Sequence, residues 1–180
     1  MKKKIFLGIG IVLLALIGYL GYIFLTTKSH SPFAEESVNH NGLEITVAYC
    51  QPFKKGRLIF GEDSEDALLP YGKYWRLGAN EATEISFSSE VDFAGATVPA
   101  GRYRMYAVPG KDSWEVSLNS ELDKWGAMEP DYSLDVAKVK VPSEISDSEV
   151  EQLTIGFSED SSGAIMTIAW DKTKVSVPIR

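Results

Sequence analysis

The residues best suited to chemistry lie close together, in the stretch from Leu69 to Thr83. It combines aromatic rings, basic side chains and an Asn-Glu pair, a mixture that is unusual in a plain β-strand. Aromatic walls with a few fixed polar groups are typical of pockets that orient a polar or anionic ligand. Together with one arginine from an earlier segment, this stretch predicts a ligand-binding face formed by Arg57, Tyr71, Trp75, Arg76, Asn80 and Glu81.

The same residues also fit a purely structural role. Trp75 would then fill the core, and Arg76 and Glu81 would form a partly buried ion pair. Asn80 would bond backbone groups in a turn, and Arg57 would pair with a nearby carboxylate. The sequence leaves both interpretations open.

A tight basic cluster precedes this stretch, at Lys54, Lys55 and Arg57. An arginine can hold an anion through two parallel hydrogen bonds, so Arg57 is the member that suits a ligand. The two lysines fit a solvated turn better.

Catalytic side chains are sparse. The two histidines are His30, in the predicted tether, and His40, at the edge of the predicted domain. Nucleophilic catalysis needs an imidazole beside the nucleophile, which these locations disfavour. A Cys50–His40 dyad is conceivable because both flank one predicted strand, although a free cysteine more often packs as a small apolar residue. No residue is therefore assigned as catalytic, and Glu81 with Arg76 is the best alternative pair for a hydrolase or lyase.

Composition excludes several classes of partner. One cysteine and two histidines cannot supply a transition-metal site, so no metal and no cofactor are expected. The net charge is −7, and all 25 acidic residues follow the N-terminal apolar segment. Nucleic acid is therefore not an expected partner.

The N-terminal segment has the length and composition of a membrane anchor. Residues 5–25 carry no charge, and as a helix they would extend roughly 31 Å, close to the roughly 30 Å of a hydrocarbon core. Neither a small-residue cleavage site nor a lipid-accepting cysteine follows them. Lys2, Lys3 and Lys4 precede the segment, which predicts a cytoplasmic N-terminus and a periplasmic or extracellular C-terminal domain.

The predicted organisation has four parts: a cytoplasmic basic flank (1–4), a transmembrane anchor (5–25), a tether (26–36) and a folded domain (37–180). Within the domain, short runs of β-branched and aromatic residues recur between turns, which predicts an all-β antiparallel sandwich, jelly-roll-like or immunoglobulin-like. The clearest strand is Leu43–Cys50, which alternates after an Asn-Gly turn. The other predicted strands are Glu84–Phe87, Arg102–Val108, Trp114–Leu118, Ala137–Val141, Leu153–Phe157, Ile165–Trp170 and Lys174–Ile179, and Ser120–Gly126 is predicted to be a short helix.

A long motif resembles a known family. Tyr71-Gly72-Lys73-x-Trp75-Arg76-x-Gly78-Ala79-Asn80-Glu81-Ala82-Thr83 is similar to the signature of a bacterial domain of unknown function, family 2911. The resemblance extends over Phe33–Arg180, although Cys50-Gln51 stands where a Ser-Arg pair is common. It implies an exported or membrane-anchored protein and no particular activity.

These observations favour a membrane-anchored, noncatalytic module that binds a small polar ligand, a carbohydrate or an envelope protein. The first alternative is a hydrolase or lyase. The second is a structural subunit of an envelope complex, with the aromatic motif in its core.

Overall fold

The computed structural model describes residues 2–180, with side chains at residues 9–22, 26 and 29–180. Strands make up 56% of the structure and pair almost entirely in antiparallel fashion, so the mostly β fold is confirmed. The elements in chain order are α1 (Lys2–His30), β1 (Phe33–His40), β2 (Leu43–Cys50), β3 (Phe60–Gly61), a 3-10 helix (Asp63–Glu65), β4 (Leu69–Pro70), β5 (Thr83–Phe87), β6 (Val91–Phe93), β7 (Ala96–Val98), β8 (Gly101–Val108), β9 (Ser113–Asn119), a 3-10 helix (Tyr132–Leu134), β10 (Asp135–Asp160) and β11 (Gly163–Ile179).

The described apolar side chains of α1 between Ile9 and Tyr22 are exposed. Among the described residues, no helix combines the length and the apolar character needed to cross a membrane. The side chains of the predicted flank (1–4) and of both ends of the predicted anchor (5–25) lie outside the described residues.

The link between α1 and the sheet is much shorter than the expected tether over residues 26–36. Helix α1 continues to His30 and β1 begins at Phe33, so only Ser31 and Pro32 connect them. Proline disfavours helical backbone in the residue before it, which explains why α1 stops here. The Gln51 amide donates to the Pro32 carbonyl at 2.9 Å and fixes the link to the end of β2.

Nine of the described strands form one sheet in the order β1-β2-β5-β8-β9-β10-β11-β6-β7. Strand β1 was not expected, because its sequence is polar and does not alternate. It pairs with the whole of β2, from Phe33 opposite Cys50 to His40 opposite Leu43. The turn between them is Asn41-Gly42, and both residues have positive φ, as a tight two-residue hairpin requires.

Strand β10 combines two predicted strands, Ala137–Val141 and Leu153–Phe157, in one extended run of 26 residues. Its first part pairs with β9 and its second part with β11. The polar residues between the predicted strands do not break the backbone and instead hold two register irregularities, between Ile145 and Thr154. In the same way, β11 unites the last two predicted strands.

The strands at the start of the chain, including β2, and the later strands, including the second part of β10, share one apolar core. Strand β2 and the second part of β10 are not neighbours in the sheet, yet the Tyr49 side chain of β2 bonds the backbone of Ile155. The centre of the core contains four large rings, each in contact with at least two of the others: Phe60, Trp75, Trp114 and Trp170.

The short helix predicted at Ser120–Gly126 is wrong. The segment is an irregular loop, in which Asp123 has a φ of 57° that is incompatible with a right-handed helix. The Ser120 amide and hydroxyl both donate to the Leu134 carbonyl instead of capping a helix.

Candidate functional site

An open cleft of about 660 Å³ lies where the end of α1 meets the loops around β3 and β4. Three of the predicted site residues line it: Arg57, Trp75 and Arg76. Its other walls come from the end of the helix, from the loop after β2 and from Trp170 of β11. The structure therefore brings together half of the predicted face, and adds residues that were not predicted.

The cleft is lined by cations. Lys55, Arg57 and Arg76 reach it, and no aspartate or glutamate is among its lining residues. Within the described residues, none of these three side chains forms an ion pair. The Arg57 guanidinium is oriented by donating to the carbonyls of Lys54 at 2.9 Å and Phe53 at 2.6 Å. This concentration of positive charge is unexpected in a protein whose net charge is −7.

Lys54 differs from its neighbours in the basic cluster. Its amine lies 2.8 Å from Asp171 and 2.8 Å from Glu149, and these hydrogen bonds raise the pKa of Lys54. The predicted solvated lysine is therefore tied to β10 and to the middle of β11. These two ion pairs anchor the loop from which Lys55 and Arg57 extend.

Arg76 is the residue in the cleft lining that has a buried side-chain donor without a partner within the described residues. Its Nε atom is buried and has no hydrogen-bond acceptor within the described residues. A buried donor without an acceptor costs about 1–3 kcal/mol, and a bound water or ion is one way in which such a group is satisfied. Asn80, Arg104, Trp114 and Ser117 also have buried side-chain atoms without a hydrogen bond, but none of these residues lines the cleft.

The loop after β9 holds Arg76 in place. Gly126 packs so closely that an added Cβ would lie 2.6 Å from Arg76 Cδ and 3.0 Å from the Glu81 carbonyl oxygen. The Gly126 amide in turn donates to the Asn80 carbonyl at 3.0 Å. The expected ion pair between Arg76 and Glu81 is not formed in the described residues.

Trp75 is mainly a core residue. Only 4% of its surface is exposed, and its ring stacks on Trp170 at 6.0 Å and meets Trp114 edge-on at 5.5 Å. Trp75 also lines the cleft. The structural interpretation of Trp75 therefore describes most of its contacts, and its contribution to the site is a rigid apolar floor.

Tyr71 and Asn80 do not line the cleft. Asn80 is buried with a φ of 60°, a left-handed conformation that asparagine tolerates better than most residues. Tyr71 is half-buried beside β4, and burial raises its pKa. Both residues shape the motif, and neither reaches the cations.

Glu81 lies in a different depression, of about 420 Å³, together with Cys50. The Cys50 thiol donates to Glu81 Oε2 at 3.6 Å. Because Arg76 lines the first cleft, the proposed catalytic pair of Glu81 and Arg76 does not share a cavity. His40 stands at the opposite end of the β1–β2 hairpin from Cys50 and contacts Glu159 at 3.0 Å, so the Cys50–His40 dyad is wrong.

The sequence did not predict a role for Tyr74 or for Arg104, which bonds the Tyr74 hydroxyl. Arg104 is 1% exposed and donates to the Tyr74 hydroxyl at 2.6 Å and to the Met128 carbonyl. The Tyr74 hydroxyl itself donates to the Gly126 carbonyl at 2.8 Å. Burial raises the pKa of Tyr74, and the bond from Arg104 offsets part of that rise. Tyr74 is thus a fixed, neutral part of the cleft wall. The signal for this arrangement in the sequence was Arg104, a charged residue inside a predicted strand.

The chain's family follows from a match to one family model. That model, described as a protein of unknown function (DUF2911), matches residues 31–179. No curated protein and no solved structure matches the chain. The matched region begins where α1 ends and includes the cleft, the aromatic core and all the strands. Since the match extends over more than half of the chain, this protein belongs to the DUF2911 family of proteins of unknown function.

Proposed function

We propose that this protein is a noncatalytic binding module whose cleft holds a small anionic ligand with an apolar portion. The observation that carries the proposal is Arg76, whose side chain lines an open cleft and forms no ion pair within the described residues. A carboxylate, phosphate or acidic sugar would supply the missing negative charge.

The rest of the cleft supports the same chemistry. Lys55 and Arg57 add two cations without ion pairs in the described residues, and Arg57 is already oriented by backbone carbonyls. Phe53, Trp75 and Trp170 form an apolar floor against which the body of a ligand can pack. A few fixed polar groups above an apolar floor is the usual composition of a small-molecule site.

The proposal includes a location and a fold type. We infer from residues 5–25 and the preceding lysines that the helix anchors the domain outside the cytoplasm, in the periplasm or at the cell exterior. The exposed apolar side chains of α1 support this inference. The contact of β2 with the second part of β10 supports a two-layer β-sandwich.

Thermal unfolding of the full chain in an uncharged detergent tests the binding proposal. Glucuronate and glucose form a matched pair of probes, since they differ only in one carboxylate, and pyrophosphate tests phosphate chemistry. A ligand at 100 times its Kd stabilises a protein by about 2.7 kcal/mol, which raises Tm by roughly 5–10 °C. We expect such a rise with glucuronate or pyrophosphate and none with glucose.

The matched variants are Arg76→Gln, which removes the charge in the cleft, and Lys140→Gln, which removes an exposed charge on β10. We expect the anion-dependent rise in Tm to be lost in the first and kept in the second. Equal loss in both variants, or no rise in the wild type with either anion, would contradict the proposal.

The hydrolase or lyase alternative loses its main support, because Glu81 and Arg76 line different cavities. Incubation of the same proteins with acidic glycosides, followed by product detection, checks this directly. Turnover that disappears in Glu81→Gln would restore the enzymatic interpretation.

A further inference from the structure

The end of α1 forms one wall of the cationic cleft. His30 and Ser31 both line it, and the His30 Nδ1 atom is 2.7 Å from the Thr26 carbonyl one turn earlier. The C-terminal end of the helix is therefore part of the cleft lining. If the helix anchors the domain as proposed, the point at which it leaves the membrane would set the depth of the cleft.

The proposed anchor ends at residue 25, and the helix continues to His30. At about 1.5 Å per residue, His30 would lie roughly 7 Å beyond the hydrocarbon core. A head-group layer extends roughly 5–7 Å on each side of that core. The cleft would thus open at the level of the lipid phosphates.

The rim of the cleft combines charge with exposed apolar groups. Leu68 lines the cleft and is 40% exposed. Leu58, whose carbonyl accepts from the Leu68 amide at 2.9 Å, lies beside it and is 44% exposed. Cations beside apolar side chains at the membrane boundary match a phospholipid, which joins a phosphate to acyl chains. A soluble anion would use the cations and leave the leucines in water.

We propose that the cleft binds the phosphate of an anionic phospholipid from the leaflet in which α1 ends. This rests on the proposed function and on the proposed anchor, and it names the source of the anion. Arg57 and Arg76 hold the phosphate, and Leu58 and Leu68 contact the first carbons of the acyl chains. The overall negative charge of the domain does not prevent this, since charges farther than roughly 8 Å are screened at physiological ionic strength.

The test compares the full chain in nanodiscs of phosphatidylcholine with and without phosphatidylglycerol. Native mass spectrometry counts the lipids that stay bound after the protein is released from the discs, and thermal unfolding in the discs reports the stabilisation. We expect retained phosphatidylglycerol and a higher Tm only in the anionic discs. Loss of one cleft charge, in Arg76→Gln or Lys55→Gln, should lower retention about fivefold. Lys140→Gln should retain lipid as the wild type does.

Leu68→Ser separates a lipid from a soluble phosphate, because serine removes the apolar contact and leaves the cations. We expect this variant to lose phosphatidylglycerol while glycerol phosphate still stabilises it in detergent. An unchanged Tm in phosphatidylcholine discs would show that a variant is folded. If Arg76→Gln does not fold, Lys55→Gln tests the same loss of a cleft charge.

Two results would overturn the inference in different ways. Stabilisation by soluble anions without any effect of phosphatidylglycerol would reject the lipid proposal but not the proposed anion-binding module. If neither soluble anions nor phosphatidylglycerol raise Tm, both proposals are rejected.

Discussion

The hydroxyl of Tyr49 makes two hydrogen bonds to the backbone of Ile155, donating to its carbonyl at 3.1 Å and accepting from its amide at 2.8 Å. Gln51 Nε2 donates to the same oxygen at 3.0 Å. A tyrosine hydroxyl has one proton and two lone pairs, so all of its capacity is used. These bonds join β2 to the second part of β10 across the core, and burial raises the pKa of Tyr49.

Tyr49→Phe should lower the free energy of unfolding by about 2–3 kcal/mol, because the buried Ile155 amide and carbonyl lose their partner. For a chain of this size, Tm should fall by roughly 4–12 °C. Tyr71→Phe is the matched control, since within the described residues the Tyr71 hydroxyl makes no hydrogen bond. Equal changes in the two variants, measured by circular dichroism, would show that the Tyr49 bonds contribute nothing.

Trp75→Ala should destabilise the fold by about 3–5 kcal/mol, because it removes a buried ring from contact with Trp114 and Trp170. Trp125→Ala, where the ring is 44% exposed, should change stability by at most about 0.5 kcal/mol. Chemical denaturation measures both. A stable Trp75→Ala variant that fails to bind anions would instead make Trp75 a ligand platform.

Gly126→Ala should weaken anion binding without removing any charge. The new Cβ would lie 2.6 Å from Arg76 Cδ, so the arginine must move away from its present position. The close Glu81 carbonyl should add a loss of stability of about 1–3 kcal/mol. Gly156→Ala is the control, since a Cβ there meets nothing within 4 Å. Anion-dependent shifts in Tm measure the effect, and unchanged shifts in Gly126→Ala would mean that Arg76 does not hold the ligand.

The Asp160 carboxyl, in the turn between β10 and β11, should titrate at a pH below the ordinary pKa of an aspartate. Hydrogen bonds from the Ser162 hydroxyl, the Ser162 amide and the Gly163 amide favour the charged carboxylate and lower the pKa of Asp160 below 3.8. A lowered folded pKa means that this stabilisation is complete above the unfolded pKa of 3.8. It is lost as the pH falls through the lower, folded value.

Nuclear magnetic resonance of the Asp160 carboxyl carbon measures that midpoint directly. Ser162→Ala should move the midpoint upward, toward 3.8, because the variant loses the largest favourable contribution. Ser148→Ala, in an exposed segment far from this turn in sequence, should leave it unchanged. A midpoint at or above 3.8 in the wild type would refute the prediction.

The strands with alternating patterns could be predicted from sequence. The bounds of β2 were predicted correctly because alternation and an Asn-Gly turn act locally. Strand β1 could not be predicted, since its stability comes from complete pairing with β2 and not from its own polar sequence. The unbroken course of β10 likewise depends on two different partners, β9 and β11.

The composition of the site could be predicted better than its geometry. The sequence predicted that Arg57 and Arg76 belong to one face, and both line the cleft. It could not predict that Glu81 lies in another cavity, because adjacent residues with different backbone conformations point in different directions. Asn80, directly before Glu81, has a φ of 60°, and a left-handed residue turns the backbone away from an extended course.

The two-residue link between α1 and β1 restricts how the domain can move. Residues 31 and 32 span at most roughly 7 Å when extended, whereas a flexible tether of residues 26–36 would have had an average reach of roughly 17–20 Å. The Pro32 carbonyl is also bonded to Gln51. The orientation of the sheet is therefore coupled to that of the helix, and a rotation of one turns the other with it.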